Sequence, residues 1–221
     1  MATLLPRISS AWLIALLGGT MLLRGQSQPP SDEPISTDRP AIAASSVVVP
    51  KGSFQGENGL LISNDQGQRS FDGPETSVRF GAARNTELHF SAPDYFRDVG
   101  SGTGVGSGFG DVTIGMKRQL GPTPGGFDVS VIVFLSIPTG ADAVSSHGYD
   151  PGLQLPWSRK LSTNWSAAGQ FALYWPTQAD VRNFTGESTF LLDRQLTKAS
   201  DAFIEYAGDF SQRDLVRTLT G

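Results

Sequence analysis

Three groups of residues have types and spacings from which chemistry could be built. The first is Asp142, Ser145, Ser146, His147 and Asp150, all within one short stretch. Ser, His and Asp are the members of a hydrolytic triad, in which a base-activated hydroxyl attacks a carbonyl. A triad needs a rigid frame to aim its nucleophile, and a stretch rich in glycine and serine offers little. A solvated loop is expected there, with no catalytic residue. The chain has only 2 histidines, too few for a His-rich metal centre, and no cofactor is expected. The second group is Gly100, Gly102, Gly104, Gly106, Gly108 and Gly110, one glycine at every second position. A phosphate cradle would need a Gly-x-Gly-x-x-Gly register or a following Lys-Ser/Thr, set between a strand and a helix. Neither pattern fits, so the glycines read as a loop running into a kinked strand. The third group is polar: Glu57, Arg79, Glu87, His89, Lys117, Asp128, Lys160, Gln170 and Glu205. What these could do depends on the elements that carry them.

Those elements have a period of two. Phe127, Val129, Val131, Val133, Leu135 and Ile137 share one face of a segment, and Asp128, Ser130, Ile132, Phe134 and Ser136 share the other. Trp165, Ala167, Gly169, Phe171, Leu173 and Trp175 alternate with Ser166, Ala168, Gln170, Ala172 and Tyr174. Leu88 and Phe90 alternate with Glu87 and His89, and Ile114 and Met116 with Thr113 and Lys117. Such alternation marks antiparallel strands with two unlike faces. Nine segments follow it: 52–64, 70–82, 86–96, 109–120, 127–138, 151–161, 165–176, 186–196 and 201–211. Segment 186–196 is ambiguous, with Leu on both faces. Each is about 11 to 13 residues long, against roughly 5 or 6 for ordinary sandwich strands and about 9 to 11 for a tilted strand crossing an outer membrane.

Connection lengths give a separate argument. The links at 83–85, 121–126, 162–164 and 197–200 are short, and those at 97–108, 139–150 and 177–185 are longer. Outer-membrane barrels alternate short periplasmic turns with longer extracellular loops, which would put the long links outside the cell. Phe54, Phe96, Phe109, Phe127, Trp157, Trp165, Trp175 and Phe210 stand near segment ends, where interfacial girdles form. With the apolar face on lipid, the nine polar residues named above would line a lumen. Their mixed charges predict no strong ion selectivity.

The N-terminus carries one positive charge, Arg7, before an apolar run from Ala11 to Leu23. A run of about 13 residues is a signal-peptide core and is too short to span a bilayer. Residues 1–27 are therefore expected to be a signal peptide. Residues 28–51 read as an extended Pro/Ser-rich arm, because Pro29, Pro30, Pro34, Pro40 and Pro50 forbid a helix and weaken a strand. Residues 52–212 carry the strands, and 213–221 form a non-strand tail. The chain has 221 residues, a net charge of -4, 17% charged residues and no cysteine. This excludes disulfide scaffolds, thiol nucleophiles and Cys-ligated metals, and argues against a nucleic-acid partner. Mean hydropathy of -0.15 excludes a bundle of membrane helices, but not a barrel whose strands are apolar on one face only.

One ordered set of short motifs is familiar: Thr37-Asp-Arg-Pro40, Val49-Pro-Lys-Gly52, Phe54-Gln-Gly-Glu57, Phe80-Gly81, Thr86-Glu-Leu88, Gly108-Phe-Gly-Asp111, Pro138-Thr-Gly140, Asp150-Pro151 and Trp157. In this order, over about residues 36 to 211, the chain resembles the transporter-like outer-membrane family named after the meta-pathway of phenol degradation. The resemblance implies an all-β, antiparallel, up-and-down β-barrel in a Gram-negative outer membrane, passing small organic compounds, hydrophobic or aromatic ones among them. It brings no catalytic residues. Outer-membrane lipid, small organic solutes and the barrel-assembly machinery are the expected partners. Nine strands is an odd number, and the chain ends Asp214-Leu-Val-Arg-Thr-Leu-Thr-Gly221 without the family's closing strand and terminal aromatic. The sequence expectation is thus a chain cut short, with about 12 strands in a complete relative. The leading functional expectation is a channel that is not an enzyme. A structural or adhesive barrel with a closed lumen and a secreted ligand-binding β-sandwich are the alternatives.

Overall fold

A computed structural model of the chain describes residues 38, 41–65, 68–99, 106–197 and 200–211. The expected signal peptide at 1–27 and the tail at 213–221 lie outside these residues. The strands are β1 (Phe54–Asp65), β2 (Gln68–Ala83), β3 (Thr86–Ser91), β4 (Tyr95–Val99), β5 (Ser107–Phe109), β6 (Val112–Gln119), β7 (Phe127–Ile137), β8 (Asp150–Lys160), β9 (Trp165–Tyr174), β10 (Thr177–Gln178), β11 (Val181–Arg182), β12 (Thr185–Thr197) and β13 (Ser200–Ser211). All pairs are antiparallel. Successive long strands are neighbours, in an up-and-down order from β1 to β13, and β10 and β11 form a small hairpin of their own in the link from β9 to β12.

Two expected segments are each split. β3 and β4 occupy one lane, beside different halves of β2. β5 and β6 occupy the next, pairing with β4 and β3. Pro93 falls in the gap between β3 and β4, across from the Gly73-Pro74 step of β2, and β1 shifts register between Gly59 and Leu61 at that level. Proline donates nothing to a ladder, and a bulge bends the strand that holds it. Three adjacent lanes are thereby kinked at one height. The expected loop at 97–108 is also shorter than the sequence suggested, because β4 and β5 extend the hairpin into it.

The sheet curls. A flat sheet of nine lanes about 4.8 Å apart would set β1 and β13 roughly 38 Å from each other. The backbone N–H of Asp38 donates to Glu57 on β1, and that of Ala43 to Glu205 on β13. Five residues of extended chain span at most about 18 Å, so the edge strands must swing round toward each other. Among the described residues, β1 and β13 do not pair together.

The two faces differ as the alternation demands. Outward lie Phe54, Val78, Leu88, Phe90, Ile114, Met116, Val133, Leu155, Phe171, Phe190, Ile204 and Tyr206, all of them exposed. The buried side chains of the inner face are mostly polar: Glu57, Arg79, Glu87, Lys117, Ser130, Gln170, Thr189 and Glu205. This inverts the arrangement of a soluble domain. On the strand the sequence left ambiguous, β12, Thr189 is buried while Phe190 is exposed, and Glu187 bonds the inward Gln170.

Candidate functional site

The inner face is filled by the chain's own arm. Ala43, Val48 and Val49 are buried there, and the strands hold the arm mainly by its backbone. Glu57 accepts the N–H of Asp38 at 3.0 Å, Glu205 those of Ile42 and Ala43 at 2.8 and 2.9 Å, and Gln170 that of Ala44 at 3.0 Å. Further along, Gln119 accepts from Val48 at 3.4 Å and Glu87 from Val49 at 2.5 Å. Arg79 donates to the Val47 carbonyl at 3.1 Å, Ser130 donates to the Ser46 carbonyl, and the Ser46 and Ser158 hydroxyls meet at 2.8 Å. β1, β2, β3, β6, β7, β8, β9 and β13 thus each contribute a polar atom that the arm would otherwise lack. A buried peptide group without a partner is costly, and these side chains supply what a neighbouring strand would.

Gly81 is where the arm comes closest to the wall. A methyl group there would stand 2.1 Å from the Pro50 carbonyl oxygen and 2.6 Å from that of Val49. Gly52 donates its N–H to the Gly81 carbonyl at 2.7 Å, and Gly81 donates to Ser53 at 3.0 Å. Only a residue without a side chain lets the arm turn from β1 into the interior at this point.

One end of the inner face carries a buried ionic cluster. Adjacent lanes align Glu87 with Lys117 and Arg79 with His89. Arg79 Nε donates to Glu87 at 2.6 Å, and its Nη1 lies 3.2 Å from Glu57 and 3.4 Å from Asp38. Lys117 Nζ lies 3.5 Å from Glu87 and 3.6 Å from Asp38. His89 Nε2 is 2.5 Å from Glu87. Arg79, Glu87 and Lys117 have at most 1% of their side chains exposed. Charges this deep persist only when paired, and here three carboxylates from the strands and the arm face the guanidinium of Arg79 and the amine of Lys117.

Of the nine residues singled out in the sequence, Glu57, Arg79, Glu87, His89 and Lys117 come together in this cluster. Gln170 and Glu205 bind the arm on the other side. Asp128 is half-buried and accepts from Gln119 at 3.4 Å. Lys160 shares the inward parity but is exposed at the end of β8 and joins no described cluster. Asp38, Gln119, Ser130 and Ser158 were not singled out. The last three share the inward parity, which was the available signal. Asp38 lies in the irregular arm, where no period shows which way it faces.

The long connections form a second polar region. Asp111 accepts the N–H of Gly140 at 2.9 Å and that of Ser146 at 3.1 Å. Burial acts to raise the Asp111 carboxyl, but these N–H groups and the hydroxyls of Ser145 and Ser146 outweigh it and hold the group below the usual carboxylate range. The link between β7 and β8 therefore folds back on β5, where a methyl on Gly108 would press to 2.6 Å from Ala141. Asp150 accepts from Thr177 N and Oγ1 at 3.0 and 2.7 Å, tying this link to the next. His147 Nε2 lies 3.3 Å from the Asp142 carbonyl, and Ser146 Oγ donates to Gly148. Among the described residues the imidazole addresses a backbone carbonyl rather than a serine hydroxyl, so the residue types of a triad are present without its hydrogen-bond chain.

Residues 37–214 match the family described as "Putative MetA-pathway of phenol degradation". The chain belongs to this family. No curated protein matches it significantly. Among solved structures, an outer-membrane channel from Pseudomonas putida F1 is similar at 14% identity and a TM-score of 0.39, over 83% of this chain and 100% of that one. So loose a likeness transfers neither function nor topology. The family assignment rests on the sequence match, and the fold on the strand pairing itself.

Proposed function

We propose that this family member is an outer-membrane channel for small organic compounds, hydrophobic and aromatic ones among them, and that its own arm gates it. The observation that carries this reading is the inverted sheet, apolar outside and polar inside, with residues 41–50 held along the polar face. An apolar outer surface of this kind suits lipid. The interior contacts are mostly side chain to backbone and the wall groups are polar, so removing the arm would leave a polar passage rather than a collapsed core. Export through residues 1–27, insertion by barrel-assembly machinery and an outer-membrane location belong to the same proposal, as does a lumen bounded by the nine polar residues.

The filled interior also favours a second reading, a closed structural barrel. The test is current across a planar lipid bilayer, together with swelling of protein-loaded vesicles in phenol. Under the channel reading the full chain passes little, and deleting residues 41–50 raises both signals. If the deletion variant inserts and still passes nothing, the closed-barrel reading replaces the channel. If neither protein enters lipid and the full chain is soluble without detergent, the secreted alternative leads.

A further inference from the structure

The outward face carries a repeat at the ends of three strands. Arg118-Gln-Leu120 closes β6, Arg159-Lys-Leu161 closes β8 and Arg194-Gln-Leu196 closes β12. Each precedes a short link. In every case Arg and Leu are two residues apart, so both point the same way from the strand. That way is outward, since Lys117 and the Gln119 that binds the arm occupy the other face of β6. The three arginines are exposed, and the three leucines are 61%, 54% and 53% exposed.

Two of the guanidiniums lie on aromatic rings of the adjoining strand. Arg159 sits 4.8 Å from the Phe127 ring centroid and Arg194 5.2 Å from that of Trp165. Both pairs are direct cross-strand partners. Arg118 donates instead to Thr86 Oγ1 at 2.8 Å. The rings continue as a belt, with Trp157 6.0 Å from Phe127 and 6.1 Å from Phe190. Among the described residues none of the three guanidiniums is paired with a carboxylate. A repeated cation beside an apolar side chain at one rim of a sheet is an amphipathic surface. It matches the place where acyl chains give way to phosphate.

We infer that this rim is a phospholipid-binding belt, in which Arg118, Arg159 and Arg194 take lipid phosphates while Leu120, Leu161, Leu196 and the aromatic belt cover the adjoining acyl ends. The inference rests on the membrane location proposed above. A guanidinium resting against a ring keeps N–H groups available to solvent, and its fork matches two phosphate oxygens at once. Lysine would supply the charge without the fork. The belt would fix the height of the protein in the bilayer at its short-link end.

The test is native mass spectrometry of the full chain in an uncharged maltoside detergent, titrated with phosphatidylglycerol. The comparison is between the wild type and R118Q/R159Q/R194Q, with R159K/R194K as a milder variant that keeps the charge. Insertion of each protein into phosphatidylcholine vesicles is followed in parallel. The wild type should retain bound lipid, the triple variant should need at least tenfold more lipid for the same occupancy, and the lysine variant should fall between. Equal retention by the wild type and the lysine variant would remove the role of the fork. Equal retention by the wild type and a folded triple variant would overturn the belt, leaving the membrane reading intact if all proteins insert. Failure of the wild type to retain lipid would overturn the belt alone, whereas its failure to insert would sink the membrane reading and the belt with it.

Discussion

Glu87 is the side chain on which the interior most depends, and its removal has a calculable consequence. It is fully buried and meets Arg79 through two contacts, at 2.6 and 3.1 Å, as well as Lys117 at 3.5 Å, His89, and the N–H of Val49. Glu87→Ala would leave the buried Arg79 and Lys117 with Glu57 and Asp38 as the facing carboxylates among the described residues, and one arm N–H without this acceptor. Removing one partner of a buried ion pair costs about 3–5 kcal/mol. At a urea slope of about 2 kcal/mol per M, the midpoint should fall by roughly 1.5–2.5 M. The assay is urea unfolding of the vesicle-inserted chain, followed by tryptophan emission and by anomalous gel migration before boiling. A companion variant sharpens it. Arg79→Met with Glu87→Leu removes the charge and its main partner together, and should cost less than the sum of the two single changes, since the desolvation of both ions disappears with them. A midpoint for Glu87→Ala within about 0.25 M of the wild type, roughly 0.5 kcal/mol at that slope, would refute the reasoning. So would a double variant as unstable as the sum.

Gly81→Ala should expel the arm, because the new methyl would collide with backbone at Pro50 and Val49 rather than with a side chain that can turn away; limited proteolysis in detergent should then cut within 41–50. Phe171→Arg, on the outward face six residues along β9 from the rim at Trp165, should cost about 2–4 kcal/mol if that position lies near the bilayer midplane, and far less if the face meets water; urea midpoints in vesicles decide between these. The Asp111 anchor should respond to acid. Its folded-state carboxyl is held below the usual value, so the stabilisation is present above that usual value and is lost as pH falls through the depressed one. Protection of the Gly140 and Ser146 amides, measured against the intrinsic exchange rate at each pH, should be high at neutral pH and fall in strong acid, whereas Asp111→Asn should show lower protection already at neutral pH. Deleting residues 41–50 should leave strand content by circular dichroism in place while raising conductance.

Alternation in the sequence was enough to set the strands and their faces. Each of the nine expected segments overlaps a lane of the sheet, because side chains on a strand alternate strictly and a one-residue slip would turn Phe127, Val133 and Leu135 of β7 inward. The same parity placed Arg79, Glu87, Lys117, Gln170 and Glu205 together on one face without any knowledge of their distances. The breaks at Pro93 and Pro74 were visible as residues but not as a kink, since it takes two prolines and the β1 register shift at one height to make one. Three things were decided only in three dimensions. The first is the partner of the inner face: the arm carries no period, so nothing in its order of residues says that Ala43 reaches Glu205, 162 positions away. The second is the role of Asp38, whose charge becomes meaningful only when folding brings Arg79 and Lys117 to it. The third is the rim of arginines on aromatic rings, because strand pairing, and not sequence distance, brings Arg194 to Trp165 and Arg159 to Phe127. A strand's faces follow from local geometry, whereas which strand or segment covers a face is fixed by the register of chain that is distant in sequence.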